Sequence, residues 1–277
     1  MAAPRRGTRG IVAPQELLTR VRLRRHEPAP PLRRYVENYW FLDWDLSEPY
    51  ASHIVPHPSV NVTFERYGDE SPATTWDEPV GVVTGVALGL FTRKLTGRGR
   101  VCGVKFRSGG FRPFAPDVPV LQWTGQELPV HDVFASAPAD IAETVTGPDD
   151  EHARVAALDA FLLGLGAADD PQADLAITLV DLIRSDATVH RVGDFAAAQS
   201  ISVRALQRLF SAYVGVGPKW VILRHRIHQA LERADSEAAV DWAALAADLG
   251  YADQAHLVRD FTATVGVPPT AYAPQTR

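Results

Sequence analysis

The chain has 277 residues, 46% hydrophobic and 22% charged, with a formal net charge of −5. That is the composition of a soluble globular protein with room for two domains, and its single cysteine, Cys102, excludes an internal disulfide framework. No apolar run approaches the roughly 20 residues that span a bilayer, so no membrane partner is expected, and the negative charge offers no general attraction for a polyanion.

At the N-terminus, "MAAPRRGTRGIVAP" has arginines with no hydrophobic segment behind them, so it is no secretory signal, and a cytoplasmic location is expected. Residues 1–34 carry nine arginines (Arg5, Arg6, Arg9, Arg20, Arg22, Arg24, Arg25, Arg33, Arg34) against Glu16 and Glu27. This predicts a basic, flexible arm, either a solubilising tail or a contact with nucleic acid.

From Tyr35 to Phe106 the segments "YVENYWFLDW", "VNVTFERY", "VGVVTGVAL" and "RVCGVKF" are rich in β-branched and aromatic residues and separated by Pro, Gly and Asp clusters. With no helix-length segment between them, they predict an antiparallel barrel or sandwich. Cys102, inside an apolar run, reads as a small buried hydrophobe. Tyr39, Trp40, Trp44 and Trp123 either line an apolar effector pocket or fill the core, as strand aromatics commonly do. His53 and His57 stand near Glu65, a donor set that suits Zn, Fe or Ni. Pro56 and Pro58 mark a turn there, and no metal or other cofactor is expected. "DDEHARVAALDAFLLGL" then places Val155, Leu158, Phe161, Leu162 and Leu165 at helical spacing behind a cap at Asp149 or Asp150. "GLGAADDPQ", residues 164–172, reads as a linker, so one domain spans 35–168 and a second 169–277.

The second domain says nearly the same thing twice. "LQRLFSAYVGVGP", Leu206 to Pro218, returns as "LVRDFTATVGVPP", Leu257 to Pro269, at a shift of 51. Upstream of the turn the shift is 50, so the second copy holds one extra turn residue. Each copy is a short Ala-rich helix, a tight turn and a second helix. Leu206, Leu209 and Phe210 face inward in the first; Leu257, Val258 and Phe261 do so in the second. Arg204, Gln207 and Arg208 are left on one outer face, and Gln254, Ala255, His256 and Arg259 on the other. Two helix-turn-helix units are predicted, about 192–214 and 241–265, joined by a helix over 218–234. A stiff joining helix would let both outer helices enter successive major grooves, ~34 Å apart.

The segment from Asp194 to Ala273 resembles the DNA-binding domain of AraC/XylS-family bacterial transcription regulators. The residues that carry the likeness are "SISVRALQRLF…VGVGP", Arg226 with Ala230 and Leu231, and "LAADLGYADQAHLVRDF…VGVPPTAY". The resemblance implies base contacts from Arg204, Gln207, Arg208, Gln254, Ala255, His256 and Arg259. Arg grips the guanine edge with two bonds and Gln the adenine edge, whereas Ala255 at best meets a thymine methyl. DNA-backbone contacts are assigned to Ser202, Arg224, Arg226 and Asp253.

"VENYWFLDW", "HPSVNVTFE" and "GVKFRSGGFRPF" resemble an uncharacterised N-terminal domain of a subset of these regulators. Cupin-type barrels are common at that place in the family. The fold class expected is therefore α+β in two domains, a β-barrel or cupin-like domain with trailing helices followed by an all-α domain. The family implies double-stranded DNA as partner, a small-molecule effector, a homodimer, and RNA polymerase if the protein activates.

Two departures stand out. Ser200 takes a usual glycine position, and from Pro171 onward ten Lys/Arg face eleven Asp/Glu, a poor balance for binding phosphates. A small-molecule-binding or dimerisation protein with a weakened DNA grip is the alternative reading. No phosphate loop, Cys/His dyad or nucleophile elbow occurs, so no catalytic residue and no enzyme is expected.

Overall fold

The computed structural model describes residues 8–68, 78–236 and 239–272. Helix α1 (Pro14–Arg20) leads into strand β1 (Val21–His26), followed by β2 (Val36–Ile54), β3 (Asn61–Gly68), β4 (Val80–Thr84), β5 (Phe91–Phe106) and β6 (Glu127–Pro129). They form one antiparallel sheet in the order β1-β2-β5-β3-β4-β6. β1 and β6 are its edges, and among the described residues they do not pair with each other. The long partners β2 and β5 run from Val36↔Phe106 to Ile54↔Phe91, and their register slips between Leu46 and Tyr50. Pro49 lies in that gap, where its missing N–H breaks the ladder.

Alternation along β2 sends neighbours to opposite faces. Tyr39 and Phe41 join Val62, Phe64, Val104 and Phe106 on the main core face. This face is covered by α2 (Val130–Val133), α3 (Ile141–Thr146) and α4 (Glu151–Leu165), with Leu158, Phe161 and Leu162 pointing in. Asp150 caps α4 by accepting the N–H groups of His152 and Ala153. The other face carries Trp40, Leu42 and Trp44 with Leu17 of α1 and Val21. There the indoles lie over glycines on β5. A Cβ at Gly103 would stand 2.1 Å from Trp40 and one at Gly99 2.0 Å from Trp44, so only glycine lets the rings lie flat on the strand.

The flexible arm expected over residues 1–34 does not hold for residues 14–34, which form α1, β1 and a short 3₁₀ turn at Pro30–Leu32. Their charges pair within the chain: Arg24 with Asp43 and Glu151, Arg33 with Glu27, Arg34 with Asp169 and Asp174. A run of arginines resembled a tail because three of its acidic partners, Glu151, Asp169 and Asp174, lie far along the chain. Arg5 and Arg6 lie outside the described residues.

The remaining chain is helical: α5 (Pro171–Ser185), α6 (Val192–Ala198), α7 (Val203–Tyr213), α8 (Pro218–Ser236), α9 (Trp242–Asp248), α10 (Gln254–Val265) and α11 (Pro269–Tyr272). α5 bridges two cores. Ala173 and Ile177 pack with the sheet, while Ala176, Leu179, Val180 and Ile183 pack with α6 and α7. α8 does the same for the two helical units. Val221 and Ile222 sit with Leu206 and Phe210, and Ile227, Ala230 and Leu231 with Leu257 and Phe261.

Candidate nucleic-acid interface

Each helical unit is closed by backbone hydrogen bonds across a tight turn. In the first, Ser200 N–H donates to Ala197 O at 3.0 Å and Ile201 N–H to Ala196 O at 3.0 Å. In the second, Gly250 N–H donates to Ala247 O at 3.0 Å and Tyr251 N–H to Ala246 O at 2.9 Å. Ser200 and Gly250 take the same left-handed conformation, φ 55° and 70°, which a side chain disfavours and glycine accepts freely. The second helices then start at caps: Ser202 Oγ accepts from Ala205 N–H, and Asp253 Oδ1 from His256 N–H at 2.7 Å. One residue separates Ser200 from its cap and two separate Gly250 from its own, so the extra residue of the second copy sits between turn and cap.

α7 buries Leu206, Leu209 and Phe210, and α10 buries Leu257, Phe261 and Val265. The opposite faces are open. Arg204, Gln207 and Arg208 are exposed on α7, and Gln254, Ala255 and Arg259 on α10. Among the described residues no ion pair engages Arg204, Arg208 or Arg259; the acids nearest Arg259 in sequence are engaged elsewhere, Asp260 at 3.7 Å from His256 and Asp253 as the helix cap. His256 is only half exposed and stands edge-on to Tyr251, with ring centroids 5.1 Å apart. Ser202 and Asp253 are exposed at the helix starts, with backbone N–H groups beside them.

Arg224 and Arg226, the other two residues assigned to the DNA backbone, are corrected: each is 7% exposed. Arg224 donates to Leu88 O at 2.8 Å and lies over the Trp220 ring, and burial lowers its pKa to about 10. Arg226 donates to His190 O at 2.9 Å and stacks on Tyr251, tying the lead-in of the first unit to the turn of the second. Helical spacing put both on α8 but did not show that α8 is enclosed on almost every side.

The four aromatics named for an effector pocket do not converge. Tyr39 is fully buried and donates its hydroxyl to Asp159 at 2.7 Å; Trp123 packs edge-on to Phe111 in the same core. Trp40 and Trp44 lie on the opposite sheet face, with the Trp44 indole N–H donating to Thr96 O at 3.1 Å. His53, His57 and Glu65 are likewise apart. His53 bonds Thr92, Glu65 accepts from Thr63 and Tyr67, and the His57 ring stacks on His228 at 4.2 Å, 5° from parallel. Among the described residues no group of three His, Cys, Asp or Glu side chains has metal-binding geometry. Cys102 is fully buried, and burial pushes its thiol up to about 11, so it is neutral and inert.

The sheet domain and the helical units are docked on each other, a feature the sequence pattern did not reveal. Val86, from the β4–β5 loop, is fully buried in the core of the first unit, and Val55 in that of the second. Thr124 donates to Gly215 O at 2.7 Å, and Arg9 pairs with Glu232 at 2.7 Å. His57 Nε2 lies 3.0 Å from Arg9 O, and His228 Nε2 3.1 Å from Pro56 O. Pro56 and Pro58 signalled the turn that makes these contacts; nothing in local spacing signalled its partner 172 residues away.

Residues 24–129 match the family model described as a domain of unknown function (DUF6597), and residues 195–275 match one described as a helix-turn-helix domain. Among solved structures the chain is similar to ToxT from Vibrio cholerae, P21 form, at 12% identity and TM-score 0.42, covering 91% of this chain and 97% of that one. It is also similar to unsaturated fatty acid bound wild-type ToxT from Vibrio cholerae strain SCE256, at 13% identity and TM-score 0.41, covering 85% and 94%. No curated protein is similar in sequence to this chain.

The match over residues 195–275 marks the chain as a DNA-binding transcription regulator of the helix-turn-helix class. More particularly, the C-terminal domain is of the AraC type, and the sheet in front of it is a DUF6597 domain. Among the described residues no helix is long and apolar enough to cross a membrane.

Proposed function

We propose that the protein reads a specific sequence of double-stranded DNA with α7 and α10 and that its sheet domain sets the position of this pair in response to a small effector. The observation that carries the reading is the set of exposed, unpaired side chains on matched faces of two helix-turn-helix units: Arg204, Gln207 and Arg208 with Gln254 and Arg259. Arg and Gln are the side chains that form bidentate bonds with guanine and adenine edges. The exposed N-termini of α7 and α10, at Ser202 and Asp253, supply N–H groups for phosphates. His256, half turned toward Asp260 and Tyr251, takes a minor share. A homodimer would add a second pair of reading helices, and as an activator the protein would also meet RNA polymerase.

One observation favours a second reading, a ligand-binding or dimerising protein with a weak hold on DNA: burial of Arg224 and Arg226 removes two cations from an already near-neutral domain. Salt separates the two. Titrated into a labelled DNA site selected from genomic fragments, a phosphate-anchored reader loses roughly 10–100-fold in affinity between 50 and 200 mM salt. Binding that is undetectable at the lower salt supports the second reading.

A further inference from the structure

The helices of the two reading units begin at matched places in the repeat, so the units can be compared position by position. α6 behind Arg191 and α9 behind Asp241 coincide at a shift of 50, and α7 behind Ser202 and α10 behind Asp253 at a shift of 51. At these matched places the exposed charge changes sign. The first unit exposes Arg191, Arg204 and Arg208 against Asp194, a surplus of two positive charges. Where it has Arg191, Ala198, Ser202 and Arg204, the second unit exposes Asp241, Asp248, Asp253 and Ala255. Only Arg208 returns as a cation, Arg259, and Asp194 gives way to Ala244, so the second unit exposes a surplus of two negative charges. Half-exposed Asp260, in the place of buried Leu209, adds to that excess.

The base-reading positions thin out in the same unit. Arg204, Gln207 and Arg208 of α7 correspond to Ala255, Val258 and Arg259 of α10. Gln254, in the place of Val203, is the other α10 side chain there able to make paired bonds with a base edge. The helix starts differ as well. Ser202 caps α7 with a neutral hydroxyl, whereas Asp253 caps α10 with a carboxylate that accepts from His256 N–H at 2.7 Å. A phosphate approaching the start of α10 meets a negative charge already seated there. Affinity for DNA rests mainly on cations that neutralise phosphates, and the first helix of such a unit crosses the backbone. Arg191 and Asp241, at the matched starts of α6 and α9, therefore act on DNA with opposite signs.

We propose that the two units divide the work unequally: the first grips the DNA and reads a strict half-site, while the second, opposed by Asp241, Asp248 and Asp253, reads a loose half-site through Arg259 and Gln254. This rests on the regulator reading, for which it names the form of the DNA partner, a lopsided site in place of two equal boxes.

The test is selection of bound duplexes from a random library by the full chain, followed by titration of the selected site and its single-base variants. Two blocks about one turn apart, ~10 base pairs, are expected. Changing a read base pair in the first block is expected to cost about tenfold or more in affinity, and in the second about threefold or less outside the pair that Arg259 reads. Arg204→Ala assigns the first block to α7 by relaxing it at one position. The double variant Asp241→Asn with Asp253→Asn removes two charges and keeps side chains that cap helices. On the parent's site it is expected to bind about threefold or more tighter at 50 mM salt, a gain that fades as salt rises. Two blocks that are equally costly to change overturn the proposal, as does a folded double variant that binds no tighter than the parent. If that variant does not fold, the base-pair series with the parent decides alone. A library that yields no block at all sinks the regulator reading itself, so the two failures are told apart.

Discussion

At the scale of single residues, Ser200 and Gly250 hold equivalent turns in the same left-handed conformation, yet only one is a glycine. Ser200→Gly is expected to stabilise the protein by about 0.5–1 kcal/mol, relief of a left-handed side chain less the entropy gained by the unfolded chain. Gly250→Ala is expected to cost about 1–2 kcal/mol or more, because its Cβ would also stand 2.6 Å from the His190 ring. Denaturant midpoints of the two variants check both signs.

The histidines at the domain junction make a pH prediction. His57, His228 and His225 are held below their ordinary range, chiefly by burial, the last to about 4. Arg9 lies beside all three, Lys105 beside His57 and His228, and Arg224 beside His228, each opposing protonation. Above pH 6.5 the folded and unfolded chains are both neutral at these sites, and the arrangement costs nothing. Below it the unfolded chain takes up protons that the folded chain refuses. Stability is therefore expected to fall by about 1.4 kcal/mol per pH unit for each histidine as pH drops from 6.5 toward 5. A melting profile that stays flat over that range contradicts the junction described here.

At the scale of elements, α7, α10 and α8 contain similar arginines with opposite fates. Arg208 and Arg259 are exposed and, among the described residues, unpaired, so Arg208→Ala or Arg259→Ala is expected to cost about 1–3 kcal/mol on the cognate site and leave the fold intact. Arg226 is a brace, and Arg226→Ala is expected to lower the melting temperature before it touches base specificity. Titration of a labelled site, beside thermal melts, separates the two behaviours.

Much of this level could be read from pattern. The repeat placed the helices, Leu206, Phe210, Leu257 and Phe261 marked the buried faces, and Ser200 marked the strained turn. What pattern missed was α8's second side. Its stripe of Val221, Ile222, Ile227, Ala230 and Leu231 is buried, but so are the arginines between them, because the β4–β5 loop closes over Arg224 while His190 and Tyr251 of the helical units close over Arg226.

At the scale of the whole molecule, two valines from strand-end loops complete the cores of the two reading units. Docking of this kind joins residues more than a hundred positions apart, which is why neither the ordered β1 segment nor the shared helix α5 followed from local composition. Val55→Asp with Val86→Asp is expected to separate the domains, since a carboxylate cannot stay buried there unpaired. X-ray scattering would show a larger radius of gyration with helix content preserved; an unchanged radius would mean that the domains are held together by other contacts.

The central claim, that α7 and α10 read a DNA sequence, is tested most directly by incubating the full chain with fragments of its own genome and sequencing what it retains. The account predicts sharp enrichment at a few sites sharing one motif, lost at defined positions in Arg208→Ala and Arg259→Ala. Folded protein that retains no site above background would contradict it.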